Sequence, residues 1–221
     1  MKNIILVAPP AAGKGTQAEL LESKYNIPHI STGDLLRCAI EKKDKNTQEI
    51  KSLIDKGLFV SDEIVLNLLS KRIEEEDCKN GYILDGFPRT LNQAKLYNNY
   101  LEKNSNSVIV ILIDLDKEIA KDRINNRISC SNCGRVYNLS NKRLCPKKMG
   151  ICDNCGEKIS KRKDDNSETY EIRYNEYVKD TEPIINYYRE KGYLYVVDGN
   201  NDTEVINQQI IKIINDNINE N

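Results

Sequence analysis

The sequence predicts an α/β fold, a parallel β-sheet with helices packed on both faces. Short apolar runs alternate with longer segments of helical period almost from end to end. The short runs are also apolar at nearly every position, and not at every second one. Strands buried on both faces read that way, and they occur where crossover helices cover a sheet. A chain of 221 residues suffices for one such core with small insertions, and not for two large domains.

The strand-like runs are Ile4–Val7, Tyr82–Leu84, Val108–Ile113 and Tyr193–Val197, bounded by Gly, Asn or Asp. The helical segments are Gly15–Tyr25, Asp62–Glu75, Leu91–Leu101, Lys117–Arg127 and Thr169–Arg189. Two stretches break the alternation. Ser31–Val60 is helical, polar and without a strand, and Ser129–Asp165 is rich in Cys, Gly, Asn and Lys with no helical period. Both are expected to ride on the core as insertions. The polar tail Asn215–Asn221 is expected to fray.

Lys and Arg number 33 against 34 Asp and Glu, so net charge offers no argument for a nucleic-acid or membrane partner. No apolar run approaches bilayer length, and the run after Met1-Lys2-Asn3 is too short for a secretory signal. The expected compartment is the cytoplasm. There, seven cysteines are not expected as disulfides.

The turn after the first strand reads Ala8-Pro9-Pro10-Ala11-Ala12-Gly13-Lys14-Gly15-Thr16-Gln17. Successive inward N–H groups followed by a helix N-terminus make an anion cradle. Lys14 is then placed to reach β and γ phosphates, and Thr16 to offer a hydroxyl near metal or phosphate. The pattern G-x-x-x-x-G-K-[ST] is not met in full, since Ala8 stands at its first Gly and Gly15 precedes Thr16. The bland alternative is a strand-to-helix turn that happens to carry these residues.

Asp85 ends an apolar run, and ligands of open parallel sheets bind beyond the carboxyl ends of strands. A carboxylate there suits Mg²⁺ held through water, and Arg89 suits a phosphate. Read blandly, the pair is a strand cap and a surface Arg. In His29-Ile30-Ser31-Thr32-Gly33-Asp34-Leu35-Leu36-Arg37, Thr32 and Gly33 can approach a base or phosphate, and Asp34 and Arg37 a metal and a phosphate. Ser31 or Thr32 also reads as a helix N-cap. His29, the only histidine, reads as structural. Arg123, Arg127, Arg162 and Arg173 flank the second insertion, Arg123 and Arg127 one helical turn apart and expected on one face.

Cys130-x-x-Cys133 and Cys152-x-x-Cys155 have the spacing of a closed tetrahedral Cys₄ zinc site, with Gly134 and Gly156 allowing the knuckle turns. Such a site leaves no open position and staples a segment that lacks its own core. Cys38, Cys78 and Cys145 follow no spacing rule.

In their order, these residues resemble the adenylate kinases, specifically the bacterial long form with a zinc-bearing lid. The likeness spans essentially the whole chain. It rests on Gly13-Lys14-Gly15-Thr16-Gln17, His29-Ile30-Ser31-Thr32-Gly33-Asp34, Asp85-Gly86-Phe87-Pro88-Arg89-Thr90 with Gln93, and Arg162 with Asp164-Asp165-Asn166. It implies the P-loop nucleoside-monophosphate kinase fold, with five parallel strands. The core is expected over 1–30, 61–126 and 165–221, an AMP-binding insertion over 31–60, and the zinc-binding lid over 127–164. It implies the reaction ATP + AMP = 2 ADP with Mg²⁺, a structural Zn²⁺, a monomer, and nucleotides as the only partners. By position, Ala11, Ala12, Gly13, Lys14, Gly15, Thr16, Arg127, Val136, Tyr137 and Asn201 match the ATP site. Thr32, Gly33, Arg37, Leu58, Phe59, Val60, Gly86, Phe87, Pro88, Arg89, Gln93, Arg162 and Arg173 match the AMP site. Lys14, Asp85, Arg89, Arg123, Arg162 and Arg173 are the expected catalytic groups. The departure is at Ala8 and Ala11, where the family usually has Gly. A UMP or CMP kinase is the nearer alternative. A zinc-ribbon nucleic-acid binder is the distant one, and the Cys-rich segment offers only Tyr137 for stacking.

Overall fold

The computed structural model describes residues 2–42, 47–104, 106–162 and 165–218. In chain order, the first part comprises β1 (Asn3–Val7), α1 (Lys14–Tyr25), β2 (His29–Ser31), α2 (Thr32–Glu41), α3 (Thr47–Asp55) and α4 (Asp62–Ile73). β3 (Ile83–Asp85), α5 (Leu91–Lys103), β4 (Val108–Asp114) and α6 (Lys117–Asn125) follow. Then come β5 (Arg127–Cys130), β6 (Val136–Asn138), β7 (Ile159–Ser160), α7 (Ser167–Glu176), α8 (Glu182–Glu190), β8 (Leu194–Asp198) and α9 (Thr203–Ile218).

The main sheet has five strands in the order β2-β3-β1-β4-β8, every pair parallel. Successive side chains of a strand face opposite sides, and the core divides accordingly. Ile5, Val7, Leu84, Val110 and Leu112 meet residues of α2, α4, α5 and α8 on one face. Ile4, Leu6, Ile83, Ile109 and Ile111 meet residues of α1, α6, α7 and α9 on the other. Both faces being covered explains the unbroken apolar runs. β2 escaped the pattern because His-Ile-Ser carries a single apolar residue, Ile30, which is 2% exposed.

Three expectations need correction. The segment read as one helix over 169–189 is interrupted by a π-helical turn, Tyr177–Thr181. Pro183 has no N–H and crowds the carbonyl four residues back, so the backbone widens ahead of it. The helix expected to reach Arg127 stops at Asn125, where Asn126 folds its side chain back onto the Asp122 carbonyl at 3.0 Å. Arg127 therefore lies in β5 and shares no helix face with Arg123. Of the tail, residues 215–218 are more ordered than expected: α9 runs to Ile218, and Asn217 is buried, accepting from the Tyr195 hydroxyl at 2.9 Å, while 219–221 lie outside the described residues.

β5, β6 and β7 form a small antiparallel sheet with its own cluster of Cys130, Tyr137, Cys152 and Ile159. No helix among the described residues is long and apolar enough to cross a membrane.

Candidate active site

β1 ends at the centre of the sheet, and the Ala8–Gly13 turn leads from it into α1. Gly13 precedes the helix at φ 87°, in the left-handed region that favours glycine. Ala11 lies there too, at φ 65°, whereas Ala8 does not. Lys14 curls over the turn, its Nζ donating to the Ala8 carbonyl at 3.0 Å. Burial draws its pKa down to about 8. Asp85 opposes that fall, and Arg89, Arg173 and Arg127 add to it.

These residues open into a cleft of about 830 Å³ that also takes in Arg37, Asp85, Arg123, Arg162 and Asn201. Burial lowers the pKa of Arg162 as well, with Arg127 and Arg37 as its next neighbours of like charge. Arg123 donates to the Gly199 carbonyl at 3.2 Å, and Arg162 Nε to Ser129 Oγ at 3.0 Å. Arg127 grips the fully buried Asp165 through two hydrogen bonds, and Arg173 lies 3.7 Å from the same carboxylate. Asp165 thus sets the direction of two arginines at once.

Asp85 stands at the carboxyl end of β3. Burial alone would raise its pKa, but His29, Lys14 and Arg89 hold it below the usual carboxylate value. His29 Nε2 lies 3.4 Å from Asp85 Oδ2, within ion-pair reach but without a hydrogen-bond partner. His29 also borders the cleft.

A smaller pocket of about 70 Å³ adjoins the cleft, sharing Gly33, Arg37, Arg89 and Arg173 with it. Thr32, Leu58, Phe59, Val60, Gly86 and Gln93 complete it. Ser31 is the N-cap of α2, accepting from Asp34 N–H at 3.3 Å, which leaves Thr32 to donate to the Gly86 carbonyl at 2.8 Å. The N-cap reading of that motif thus holds, and Arg37 Nε donates to Asp34 Oδ1 at 3.1 Å. Gly86 has φ 79°, and a Cβ there would meet Arg89 Nη2 and Thr32 Oγ1 at 2.8 Å. Arg89 Nε donates to the Gly86 carbonyl at 2.8 Å, and its guanidinium lies 5.2 Å from the Phe59 ring centre.

One expected site residue faces away from the site. Phe87 is 1% exposed and packs edge-on against Tyr97 in the core. Tyr137 borders the cleft, but its hydroxyl is committed to Cys152 Sγ at 3.4 Å and to the Asp153 N–H at 2.6 Å. Pro88 lines a small cavity of about 60 Å³ that shares Lys14, Arg89 and Arg173 with the cleft.

The Sγ atoms of Cys130, Cys133, Cys152 and Cys155 lie within 4.8 Å of one another. Four thiolates around one tetrahedral zinc stand roughly 3.8 Å apart, from a Zn–S bond of about 2.3 Å. Gly134 and Gly156, at φ 76° and 77°, turn their N–H groups back to the Cys130 and Cys152 carbonyls. Cys145 stays outside the cluster.

The family model for adenylate kinase matches residues 6–193. The adenylate kinase of Clostridium tetani is 44% identical over 213 residues, covering 96% of this chain and 98% of its own. That of Archaeoglobus fulgidus is 45% identical, covering 96% and 97%. That of Kosmotoga olearia is 42% identical over 211 residues, covering 95% and 97%. The chain belongs to the adenylate kinase family.

Adenylate kinases use ATP and Mg²⁺, and the four-cysteine cluster fits a structural zinc. For Mg²⁺ the donor set also fits. Asp85 is an ionised carboxylate at the cleft, and an added Cβ at Gly15 would stand 3.7 Å from its Oδ2, in ordinary contact. Sequence reasoning passed over Asp62, Glu19 and Glu22, and quoted Asp165 and Gln17 only within motifs, with no role. Asp62 accepts from Gln93 Nε2 at 2.6 Å, and Asp165 holds Arg127. Gln17, 2% exposed, ties α1 to α9 by donating to the Thr203 carbonyl at 2.9 Å. Glu19 and Glu22 border the cleft from α1. No spacing rule marks these positions, because their partners are distant in the chain. Asp164, part of the expected motif, lies outside the described residues.

Proposed function

We propose that this chain catalyses the reversible, Mg²⁺-dependent reaction ATP + AMP = 2 ADP. Its carrying observation is the gathering of Lys14, Arg37, Arg89, Arg123, Arg127, Arg162 and Arg173 around one cleft from separate elements, where burial lowers the pKa of Lys14 and Arg162 and neighbouring cations lower both further. The phosphates of two nucleotides, one tri- and one monophosphate, suit so cationic a cleft.

ATP binds over the Ala11–Thr16 turn, with Arg127, Val136, Tyr137 and Asn201 along its length. The turn's N–H groups and Lys14 hold the β and γ phosphates. AMP enters the adjoining pocket, its phosphate between Arg37 and Arg89 and its base near Thr32, Val60 and Gln93. Arg123, Arg162 and Arg173 neutralise the transferring phosphoryl, whose loose transition state asks for positioning and charge rather than covalent chemistry. Asp85 and Thr16 would hold Mg²⁺, which would supply charge neutralisation to the nucleotide phosphates. The segment 127–164 serves as the lid that excludes water, 31–60 as the AMP-binding domain, and the rest as the core. Arg143 of the lid reaches Glu204 of α9 at 2.7 Å, a contact that favours the covered state. The gathering of thiols as metal ligands fits a reducing, cytoplasmic setting, and the chain acts as a monomer.

A coupled assay of ADP formation tests this reading. Lys14→Met and Arg89→Ala each cut turnover by at least about 100-fold while the protein stays folded. Full activity in either variant would refute the assignment.

A further inference from the structure

Gln93 is 3% exposed and lines the pocket proposed for the AMP base. Its amide is held at both ends. The Arg89 backbone N–H donates to Gln93 Oε1 at 2.8 Å, and Gln93 Nε2 donates to Asp62 Oδ1 at 2.6 Å. A backbone N–H only donates and a carboxylate only accepts, so the partners leave one orientation. Turning the amide over would set donor against donor at Arg89 and acceptor against acceptor at Asp62.

Asp62 is itself fixed. Asn92 Nδ2 donates to its Oδ2 at 2.8 Å, and Thr90 Oγ1 lies 3.2 Å from the same oxygen. Thr90 is the N-cap of α5 and accepts from Gln93 N–H at 3.1 Å. The carboxylate, the cap and the amide form one network at the start of α5.

Each polar atom of the amide keeps one valence, an N–H on Nε2 and a lone pair on Oε1. A 6-aminopurine offers a donor at N6 beside an acceptor at N1. A 6-oxopurine presents the reverse, an acceptor at O6 beside a donor at N1. A free amide serves either by flipping, whereas a locked one serves only one, because the phosphate between Arg37 and Arg89 prevents the base from being turned over. Unpaired donors and acceptors in a buried site are what give such discrimination its size.

We propose that Asp62 is a positioning residue that sets the base specificity of the acceptor site, locking the Gln93 amide in the order that takes a 6-aminopurine monophosphate and rejects a 6-oxopurine one. This rests on the reading of the pocket as the AMP site. The test measures kcat/KM for AMP and for IMP, with ATP as donor, in the wild type, Asp62→Ala and Asp62→Asn. The wild type prefers AMP by at least about 100-fold. Asp62→Ala narrows that preference by roughly tenfold, with KM for ATP unchanged. Asp62→Asn keeps the shape and narrows it too, because an amide can offer Gln93 either an acceptor or a donor where the carboxylate offers only an acceptor. It also supplies the measurement if the alanine variant does not fold. Equal losses on AMP and IMP, with the ratio unchanged in each folded variant, would mean a merely structural Asp62 and overturn the proposal. A wild type that uses AMP and IMP alike overturns it as well. A wild type that phosphorylates neither refutes the underlying kinase reading instead, so the two failures are told apart.

Discussion

Ala11 holds φ 65° in the phosphate loop, a conformation that costs an L-residue with a Cβ about 1 kcal/mol or more. Ala8, also a family glycine position, is 5% exposed and avoids that region. The two replacements by glycine should therefore have opposite signs. Ala11→Gly is expected to stabilise by up to about 1 kcal/mol, and Ala8→Gly to destabilise by about 0.5–1 kcal/mol. Thermal melts of the two variants check this, and equal shifts would contradict it. Lys14 makes a second case. Its pKa of about 8 lies below the unfolded value of 10.5, so the unfolded chain holds more protons between those limits, and stability rises with pH across that window. A bound polyphosphate restores the proton. ATP affinity should thus fall as pH rises through 8, with proton uptake on binding at pH 8.5. Calorimetry in two buffers of different ionisation enthalpy measures it, and Lys14→Met should abolish it.

Among the elements, the junction after α3 carries the most consequence for the site. Gly57 has φ 75°, and a Cβ there would meet Thr169 Cγ2 at 2.8 Å and Arg173 Cγ at 3.0 Å. The segment leading to Leu58, Phe59 and Val60 thus rests directly on α7 and on the stem of a proposed catalytic arginine. Gly57→Val should destabilise by about 2 kcal/mol or more, from strain and overpacking together. It should also raise KM for AMP more than KM for ATP. Equal effects on both nucleotides would dissociate the junction from the acceptor side. The π-helical turn has a comparable place, since Thr181 Oγ1 donates to the Arg89 carbonyl at 2.9 Å. Its cause, a proline, is visible in the sequence; its contact is not.

At the scale of the molecule, a five-stranded core is joined to a small sheet whose buried cluster is half cysteine. So little apolar area cannot hold a fold by itself, and the metal supplies the difference. Replacing Cys130, Cys133, Cys152 and Cys155 together by Ser should lower the melting temperature and strip hydrogen-exchange protection from 127–162. The strands of the main sheet should keep theirs. An equally stable variant without metal would refute the staple.

Much of this was legible in the chain itself. Apolar runs without alternation specified a doubly covered parallel sheet, because only strands buried on both faces tolerate them. The cysteine spacing pointed to a closed metal site, and Gly13, Lys14 and Thr16 to the turn proposed to hold phosphate, because each depends on neighbours within a few residues. Other features belonged to the tertiary structure alone: Arg127 in a strand, Asp165 between two arginines, Asp62 against Gln93, and Ala11 instead of Ala8 under strain. They arise from contacts between residues up to tens of positions apart, or from a backbone angle imposed by the surrounding fold. Local sequence cannot encode a partner that only chain folding brings near.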